Sequence, residues 1–187
     1  MNAPVDISHV QLETPRLLLR PFEEKDLADL YTYASVPNVG EWAGWKHHES
    51  LAESQKILTM FIAERKTFAM VSKETSHVIG SLGIECYHCP LPKEYDFLLG
   101  RELGYVLAKD QWGKGIMSEA VYRVILFCFD DLHLDFLTCC HFARNTRSRR
   151  IIEKNGFRFL GKDDYLTTMG NHEDDCYYVL DNPNQRK

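Results

Sequence analysis

The sequence lacks the features that mark membrane-spanning, secreted and repeat proteins. No apolar run approaches the roughly 20 residues that a helix needs to cross a bilayer, and no internal repeat, low-complexity tract or linker is visible. Residues 1–6 contain no basic region followed by an apolar core, so we expect no secretory signal and a cytoplasmic location. The length favours one domain. We therefore expect residues 1–187 to form a single domain whose core spans about residues 10–181.

An excess of basic residues is also absent. The chain has 22 Lys plus Arg against 27 Asp plus Glu, which leaves a net charge of -5. Proteins that bind nucleic acid or anionic membranes through charge usually carry the opposite sign. We therefore expect neither nucleic acid nor a membrane as a partner, although this composition still allows a local basic patch.

The cysteines show only part of the spacing that a metal site requires. The six cysteines include the short motif Cys86-Tyr87-His88-Cys89, which by itself is compatible with a metal site. A second spaced pair is missing, and the adjacent Cys139 and Cys140 point to opposite faces of a predicted strand. We therefore expect no metal, and reduced thiols in buried or half-buried positions.

The stretch around which the chain is organised runs from Arg101 to Phe129. Residues 102–108 alternate and are rich in strand formers, and apolar residues recur at helical spacing after Ser118. Between them lies Trp112-Gly113-Lys114-Gly115-Ile116-Met117. A helix start leaves about four backbone N–H groups without partners, and glycine lets a ligand approach the backbone. This order of strand, glycine turn and helix predicts an anion site suited to a phosphate or pyrophosphate.

Two other glycine motifs fit this turn poorly. A P-loop needs Lys and then Ser or Thr after its last glycine, whereas Gly115 is followed by Ile116 and Met117. A dinucleotide-binding fingerprint needs a third glycine where this chain has Ser118. On this motif alone, an ordinary strand-to-helix turn is the alternative.

Five short motifs, in order along the chain, are more specific together. They are Leu12-Glu13-Thr14-Pro15-Arg16-Leu17-Leu18-Leu19-Arg20-Pro21, Glu102-x-Gly104-Tyr105, Trp112-Gly113-Lys114-Gly115, Asn145-x-x-Ser148 and Glu153-Lys154-x-Gly156-Phe157. In these residues the chain resembles the GNAT superfamily of acetyl-CoA-dependent N-acetyltransferases, and most closely the branch of bacterial ribosomal-protein N-terminal acetyltransferases. The resemblance covers roughly residues 10–180.

The resemblance implies an α/β (α+β) fold with a mixed, mostly antiparallel central sheet flanked by helices. The cofactor would sit in a V-shaped opening between the strand ending near Ala108 and the strand beginning near Leu134. Sequence patterns predict the remaining elements. They indicate helices at about 23–34 and from 50, a frayed tail at 182–187, and strands at 17–20, 67–72, 78–85, 157–161 and 175–180.

The resemblance also implies acetyl-CoA as co-substrate. Its pantetheine arm would pair with the backbone of Val106 and Leu107 like an added strand, and Asn145 would contact the arm or hold its loop. Its pyrophosphate would bind the N–H groups of Trp112, Gly113, Lys114, Gly115, Ile116, Met117 and Ser118.

Glu102 and Ser148 are the candidates for proton transfer. Glu102 would act as general base, with a pKa raised by partial burial, and a structural ion pair with Arg101 or Arg20 is the alternative. Ser148 matches the proton donor proposed for the ribosomal-protein branch, whereas Ile152 stands where many relatives carry Tyr. A plain helix N-cap is the alternative role for Ser148.

The remaining candidate contacts lie beside the acceptor and on the last helix. Trp42 and Trp45 would line the acceptor pocket, because similar proteins build it from the segment between the first two helices. Arg147, Arg149 and Arg150 would either meet the 3′-phosphate of CoA or form a solvated helix face.

Taken with the resemblance, these residues predict an N-acetyltransferase that moves acetyl from acetyl-CoA to a primary amine by direct attack. The acceptor would be a protein N-terminus or a small amine, and motifs on the cofactor side discriminate poorly between them. A non-catalytic acyl-CoA-binding sensor or structural module is the alternative. A homodimer is a further expectation, since dimers are common among similar proteins.

Overall fold

Eight runs of strand-forming residues join in one sheet. The computed structural model describes residues 1–184, so residues 185–187 of the expected tail lie outside the described residues. The strands are β1 (Leu12–Glu13), β2 (Leu17–Pro21), β3 (Thr67–Ser72), β4 (Val78–Glu85), β5 (Gly100–Leu107), β6 (Phe136–Phe142), β7 (Arg158–Leu166) and β8 (His172–Asp181). Strands β3 and β4 have the predicted bounds. Strands β7 and β8 are longer than predicted, because their pairing continues through a polar, exposed stretch without apolar alternation.

Among the described strands, only the two at the centre of the sheet pair in parallel, and all the others pair antiparallel. The strand order is β1-β2-β3-β4-β5-β6-β8-β7. Strands β5 and β6 run parallel and pair at only three positions, which are Gly100↔Phe136, Arg101↔Leu137 and Glu102↔Thr138. Beyond these positions both strands continue unpaired with each other, so the sheet opens toward their C-terminal ends. This confirms the predicted mixed, mostly antiparallel sheet with a V-shaped opening between two central strands.

Four α-helices flank the sheet. They are α1 (Leu27–Ala34), α2 (Leu51–Glu64), α3 (Ile116–Asp130) and α4 (Thr146–Lys154). On α3, residues Ala120, Val121, Val124 and Cys128 are fully buried and recur at helical spacing, so this helix contributes one whole face to the core. Across residues 1–184, every helix is too short or too polar to cross a membrane.

The segment after β8 is better anchored than predicted. The side chain of Asn182 is buried, and its Nδ2 donates a hydrogen bond to the carbonyl of Leu134 over 2.8 Å. Its backbone N–H donates to the carbonyl of Asp135. The prediction that the tail frays from residue 182 is therefore wrong for Asn182, because its side-chain and backbone hydrogen bonds hold the chain where strand pairing ends.

Replacing Gly100 by alanine is expected to destabilise the fold. A Cβ at this first β5–β6 pair would lie far inside van der Waals contact with the fully buried ring of Phe136. Overpacking of this kind costs about 1–3 kcal/mol. Gly104 on the same strand is the matched control, because an added Cβ there would have its nearest neighbour, Glu85 Cγ, at 3.8 Å. Denaturant titration should show a lower free energy of unfolding for Gly100→Ala only, and equal values for the two variants would contradict this packing.

Candidate active site

The turn between β5 and α3 leaves backbone N–H groups accessible. Gly113 and Gly115 have φ angles of 77° and 76°, in the left-handed region that side chains disfavour. Helix α3 begins at Ile116, directly after Gly115 and two residues earlier than the predicted start at Ser118. Gly115 therefore sets the helix boundary. The exposed loop amides and the first-turn N–H groups of α3 form the arrangement that the predicted anion site requires.

The N-terminal motif holds this glycine loop in place. The guanidinium of Arg16 donates to the carbonyl of Lys114 over 2.9 Å and pairs with the carboxylate of Glu119 in α3 over 2.6 Å. The hydroxyl of Thr14 donates to the same carboxylate over 2.6 Å. The resemblance included Thr14 and Arg16 without giving them a role, and the structure shows that they support the loop.

A cleft of about 500 Å³ follows the opening between β5 and β6. It continues from the glycine loop to the side chains of Phe142, Tyr165 and Asp175. Its lining brings together most residues predicted for the cofactor, the chemistry and the acceptor: Trp42, Glu102, Val106, Leu107, Trp112, Gly113, Gly115, Ile116, Met117, Ser118, Asn145 and Ser148.

Two predicted site residues do not line this cleft. The Lys114 ammonium donates to Gln111 over 3.2 Å, so its side chain lies along the loop rather than in the cleft. The ring of Trp45 packs against the core, with its centroid 5.2 Å from that of His48. Trp45 also covers Gly40, where any Cβ would clash with its ring. The pattern of two nearby tryptophans could not show which one faces inward.

Glu102 lies half-buried at the last β5–β6 pair. Its Oε2 accepts hydrogen bonds from the Thr138 hydroxyl at 3.2 Å and from the Cys140 thiol at 3.4 Å. Thr138 and Cys140 share a face of β6 because side chains alternate along a strand. The pKa of the Glu102 carboxyl is raised to about 7, chiefly by burial and to a smaller extent by the carboxylates of Asp175 and Glu85, while the hydrogen bonds from Cys140 and Thr138 oppose the rise.

The ion pairs proposed as the alternative role for Glu102 are not formed. Arg20 makes a two-point contact with Asp26, with both N–O distances at 2.7 Å. Arg101 donates to the carbonyl of Ala3 and to the sulfur of Cys86. Both arginines are therefore engaged elsewhere, which leaves the carboxylate of Glu102 facing the cleft.

Asp175 is a second half-buried carboxyl in the cleft. It pairs with Phe142 in the β6–β8 register, at the open end of the sheet. Burial raises the pKa of Asp175 to about 6, while a hydrogen bond with Cys140 lowers it. Local sequence patterns did not identify this residue, because the register that turns it into the cleft is set by non-local pairing.

Ser148 and Tyr105 form a hydroxyl pair. Their oxygens are 2.8 Å apart, and either can donate. Burial raises the pKa of Tyr105 well above its usual range, so its hydroxyl stays protonated. Asn145 is the N-cap of α4, because its Oδ1 accepts from the N–H of Ser148 over 3.2 Å. The N-cap role suggested for Ser148 is therefore wrong. Tyr105 belongs to the motif that carried the resemblance, but only the fold reveals its partner.

The arginines of α4 divide between the cleft and solvent. The guanidinium of Arg147 lies over the rings of Trp42 and Trp112, 4.7 and 4.2 Å from their centroids. Arg150 also lines the cleft. Arg149 instead pairs with Glu153 one turn along the helix.

Comparison with known proteins identifies the family. A family model described as an acetyltransferase (GNAT) domain matches residues 16–158, a range that includes the glycine loop, Glu102 and Ser148. The chain belongs to the GNAT acetyltransferase family. It is therefore an acyltransferase, and the resemblance seen in the sequence is confirmed.

Relatives of this GNAT acetyltransferase include both sequences and solved structures. The protein named Uncharacterized N-acetyltransferase p20, from Bacillus licheniformis, is 30% identical over 156 residues, covering 80% of this chain and 83% of its own. The ribosomal-protein-S5-alanine acetyltransferase of Vibrio fischeri has a TM-score of 0.74 at 21% identity, covering 95% and 100% of the two chains. The spermidine N-acetyltransferase of Vibrio cholerae, solved with CoA and spermine, has a TM-score of 0.72 at 18% identity, covering 90% and 97%. These two structures show the shared fold.

Asn145 is expected to stabilise the start of α4 in this GNAT enzyme. Removing an N-cap acceptor costs about 0.5–2 kcal/mol, so Asn145→Ala should lower the free energy of unfolding by that amount. Asn145→Asp is the matched control, because it keeps the acceptor oxygen, loses the Nδ2 donor to the carbonyl of Trp42 and adds a negative charge that the start of α4 favours. Chemical denaturation should place Asn145→Asp closer to the wild type. An alanine variant as stable as the wild type would contradict the cap.

Proposed function

We propose that this GNAT enzyme transfers acetyl from acetyl-CoA to the primary amine of a cationic acceptor by direct attack. One observation carries the proposal: a single continuous cleft joins the glycine loop, residues 113–118, to the carboxylate of Glu102. An anion-binding loop and a base with a raised pKa at opposite ends of one cleft are what acyl transfer from a phosphate-bearing carrier requires.

The donor would bind along the glycine loop and β5. The pyrophosphate would accept hydrogen bonds from loop amides at the positive end of α3, and Arg147 and Arg150 would add positive charge. The carbonyl of Leu107 already accepts from the Trp112 indole N–H over 2.8 Å. The backbone of Val106, however, faces β4, where this residue pairs with Ser81. The N–H of Leu107 is therefore the β5 group with which the pantetheine arm would pair, in the gap that β6 leaves open.

The chemistry would need one base and one acid. Glu102, directly or through a water, would take the proton from the amine whose nitrogen attacks the thioester carbonyl carbon. As the carbon–sulfur bond breaks, the CoA thiolate would take the proton of the Ser148 hydroxyl. The Tyr105 hydroxyl, 2.8 Å away, would stay protonated and stabilise the Ser148 oxygen by a hydrogen bond, and water would return the proton to Ser148. This pair would do the work for which many relatives use a tyrosine on the following helix, where this chain has the buried Ile152.

The acceptor end of the cleft favours a cation. Two carboxyls, Glu102 and Asp175, line the cleft together with the ring of Tyr165, and both carboxylates and ring faces attract an ammonium group. The rings of Trp42 and Phe142 already lie against the guanidinium of Arg144. Of the two solved structures, one is named for an alanine of ribosomal protein S5 and the other for spermidine. A protein N-terminus and a small polyamine are therefore the two acceptor classes to compare.

An acceptor screen that follows free thiol release from acetyl-CoA tests the proposal. The panel would contain peptides that begin with Ala or Ser, the same peptides with blocked N-termini, and spermidine and spermine. Mass spectrometry would locate the added acetyl group. Transfer to free amines only would support the proposal, and calorimetry that detects no binding of CoA or acetyl-CoA would overturn it. Binding of CoA without transfer to any amine would favour a sensor instead, and Ser148→Ala would then have no rate to lose.

The rate should depend on pH through Glu102. Because a base acts in its unprotonated form, log kcat/KM should rise with pH and bend near 7, the raised pKa of this carboxyl. Glu102→Gln should lower kcat/KM by about 100-fold or more. The pH profile of this variant should no longer bend near 7 and should depend only on the ionisation of the acceptor amine. Calorimetry of the variant should show unchanged CoA binding. A variant that keeps the bend near pH 7 would exclude Glu102 as the base.

Asp175 should affect the acceptor rather than the donor. Asp175→Asn removes a carboxylate from the cleft and should raise KM for a cationic amine about tenfold, the equivalent of one ion contact near 1.4 kcal/mol. The matched control is Asp174→Asn, which changes the exposed neighbour on the opposite face of β8. Steady-state kinetics with saturating acetyl-CoA measures both. Equal KM values for the two variants would remove Asp175 from the acceptor site.

A further inference from the structure

Two thiols from distant parts of the chain meet beside the carboxylate of Glu102. Cys89 lies in the irregular segment that connects β4 to β5, and Cys140 lies on β6. Their sulfur atoms and a carboxylate oxygen of Glu102 all lie within 4.8 Å of one another. Cys140 lines the cleft, and both cysteines are half-buried, so this corner is accessible to a molecule as small as a peroxide.

We propose that Cys89 and Cys140 form a reversible disulfide, a modification site at which a peroxide switches off the base of the enzyme. The formation of the bond does not depend on the proposed function. Only its effect on the rate rests on that function, through the contact between Cys140 and Glu102.

The surroundings single out this pair among the six cysteines. Cys128, Cys139 and Cys176 are buried, and burial raises their thiol pKa values. Cys86, on the same connecting segment as Cys89, instead accepts a hydrogen bond from the guanidinium of Arg101 at 3.0 Å. A disulfide bond is about 2.0 Å long, so one or both sulfurs of the pair must move closer. The loop position of Cys89 lets it move without breaking a strand pair.

The two thiols have different roles in the chemistry. The one proton of the Cys140 thiol can face either Glu102 Oε2 or the sulfur of Cys89. This contact lowers the pKa of Cys89, whereas the same contact and burial raise the pKa of Cys140. The Cys89 thiolate is therefore the nucleophile that attacks one oxygen of hydrogen peroxide. The O–O bond breaks, Cys89 becomes a sulfenic acid, and the other oxygen leaves as hydroxide, which takes up a proton from solvent. The Cys140 sulfur then attacks the Cys89 sulfur. The S–O bond breaks, and the hydroxyl leaves with the thiol proton as water.

The disulfide would alter the base directly. Cys140 would lose the proton that it donates to Glu102 Oε2 at 3.4 Å. The bond would also tie the β4–β5 connection across the acceptor end of the cleft. A small-molecule thiol would restore both thiols and the hydrogen bond by exchange.

The test treats the reduced, full-length enzyme with hydrogen peroxide and maps its peptides without reduction. We expect a cross-linked peptide pair containing Cys89 and Cys140, with the mass of two hydrogen atoms lost. We also expect kcat/KM to fall to about a tenth or less, within the contribution of a general base, and to recover with dithiothreitol. Cys89→Ser should keep basal activity and resist the reversible loss. Cys86→Ser is the matched control and should remain sensitive.

The outcomes separate this inference from the proposed function. If both thiols of the treated wild type stay open to alkylation, or if Cys89→Ser loses activity as fast as the wild type, the inference fails. If Cys89→Ser does not fold, the peptide map of the wild type still decides whether the bond forms. If no amine is acetylated but the cross-linked pair appears, the disulfide stands and the proposed function fails.

Discussion

The structure depends on the short parallel pairing between β5 and β6. The two strands share only three register positions, from Gly100 to Glu102, before they part. Because β5 continues beyond Glu102 and β6 continues beyond Thr138, both strands present an edge to the space between them. In α/β sheets, ligands bind at the carboxyl ends of parallel strands where the chain leaves in different directions. Here α3 follows β5 and α4 follows β6, so the same divergence creates the cleft and positions both helix starts along it.

The cleft is electrostatically divided along its length. At one end, loop amides, the start of α3 and the guanidinium of Arg147 supply positive potential. At the other end, Glu102 and Asp175 supply negative potential, and their raised pKa values reflect the burial of two carboxyls close together. A net charge of -5 does not reveal this division, because it sums over the whole surface. The separation suits a ligand whose phosphates lie far from its reacting group.

Local sequence patterns predicted those parts of the fold that local interactions determine. Strands β3 and β4 had the predicted bounds because their residues are strongly apolar and end at clear turn signals. The glycine loop was recognisable because left-handed φ angles at Gly113 and Gly115 require that residue type. The hydroxyl pair of Tyr105 and Ser148, by contrast, joins residues 43 positions apart. Contacts of this kind follow from strand register and helix docking, which a single sequence does not specify, and the same applies to the meeting of Cys89 with Cys140.

The stacking of Arg147 between two indoles has an optical consequence. The chain has three tryptophans, and Trp42 and Trp112 both contact this guanidinium at the mouth of the cleft. A cation against an indole ring changes the energy of its excited state, so the ultraviolet emission of Trp112 depends on Arg147, and that of Trp42 depends on Arg147 together with Arg144, which lies 4.5 Å from its ring centroid. A molecule that draws Arg147 away from either ring would change the emission spectrum. The enzyme thus carries an intrinsic fluorescent reporter for occupancy of its cleft.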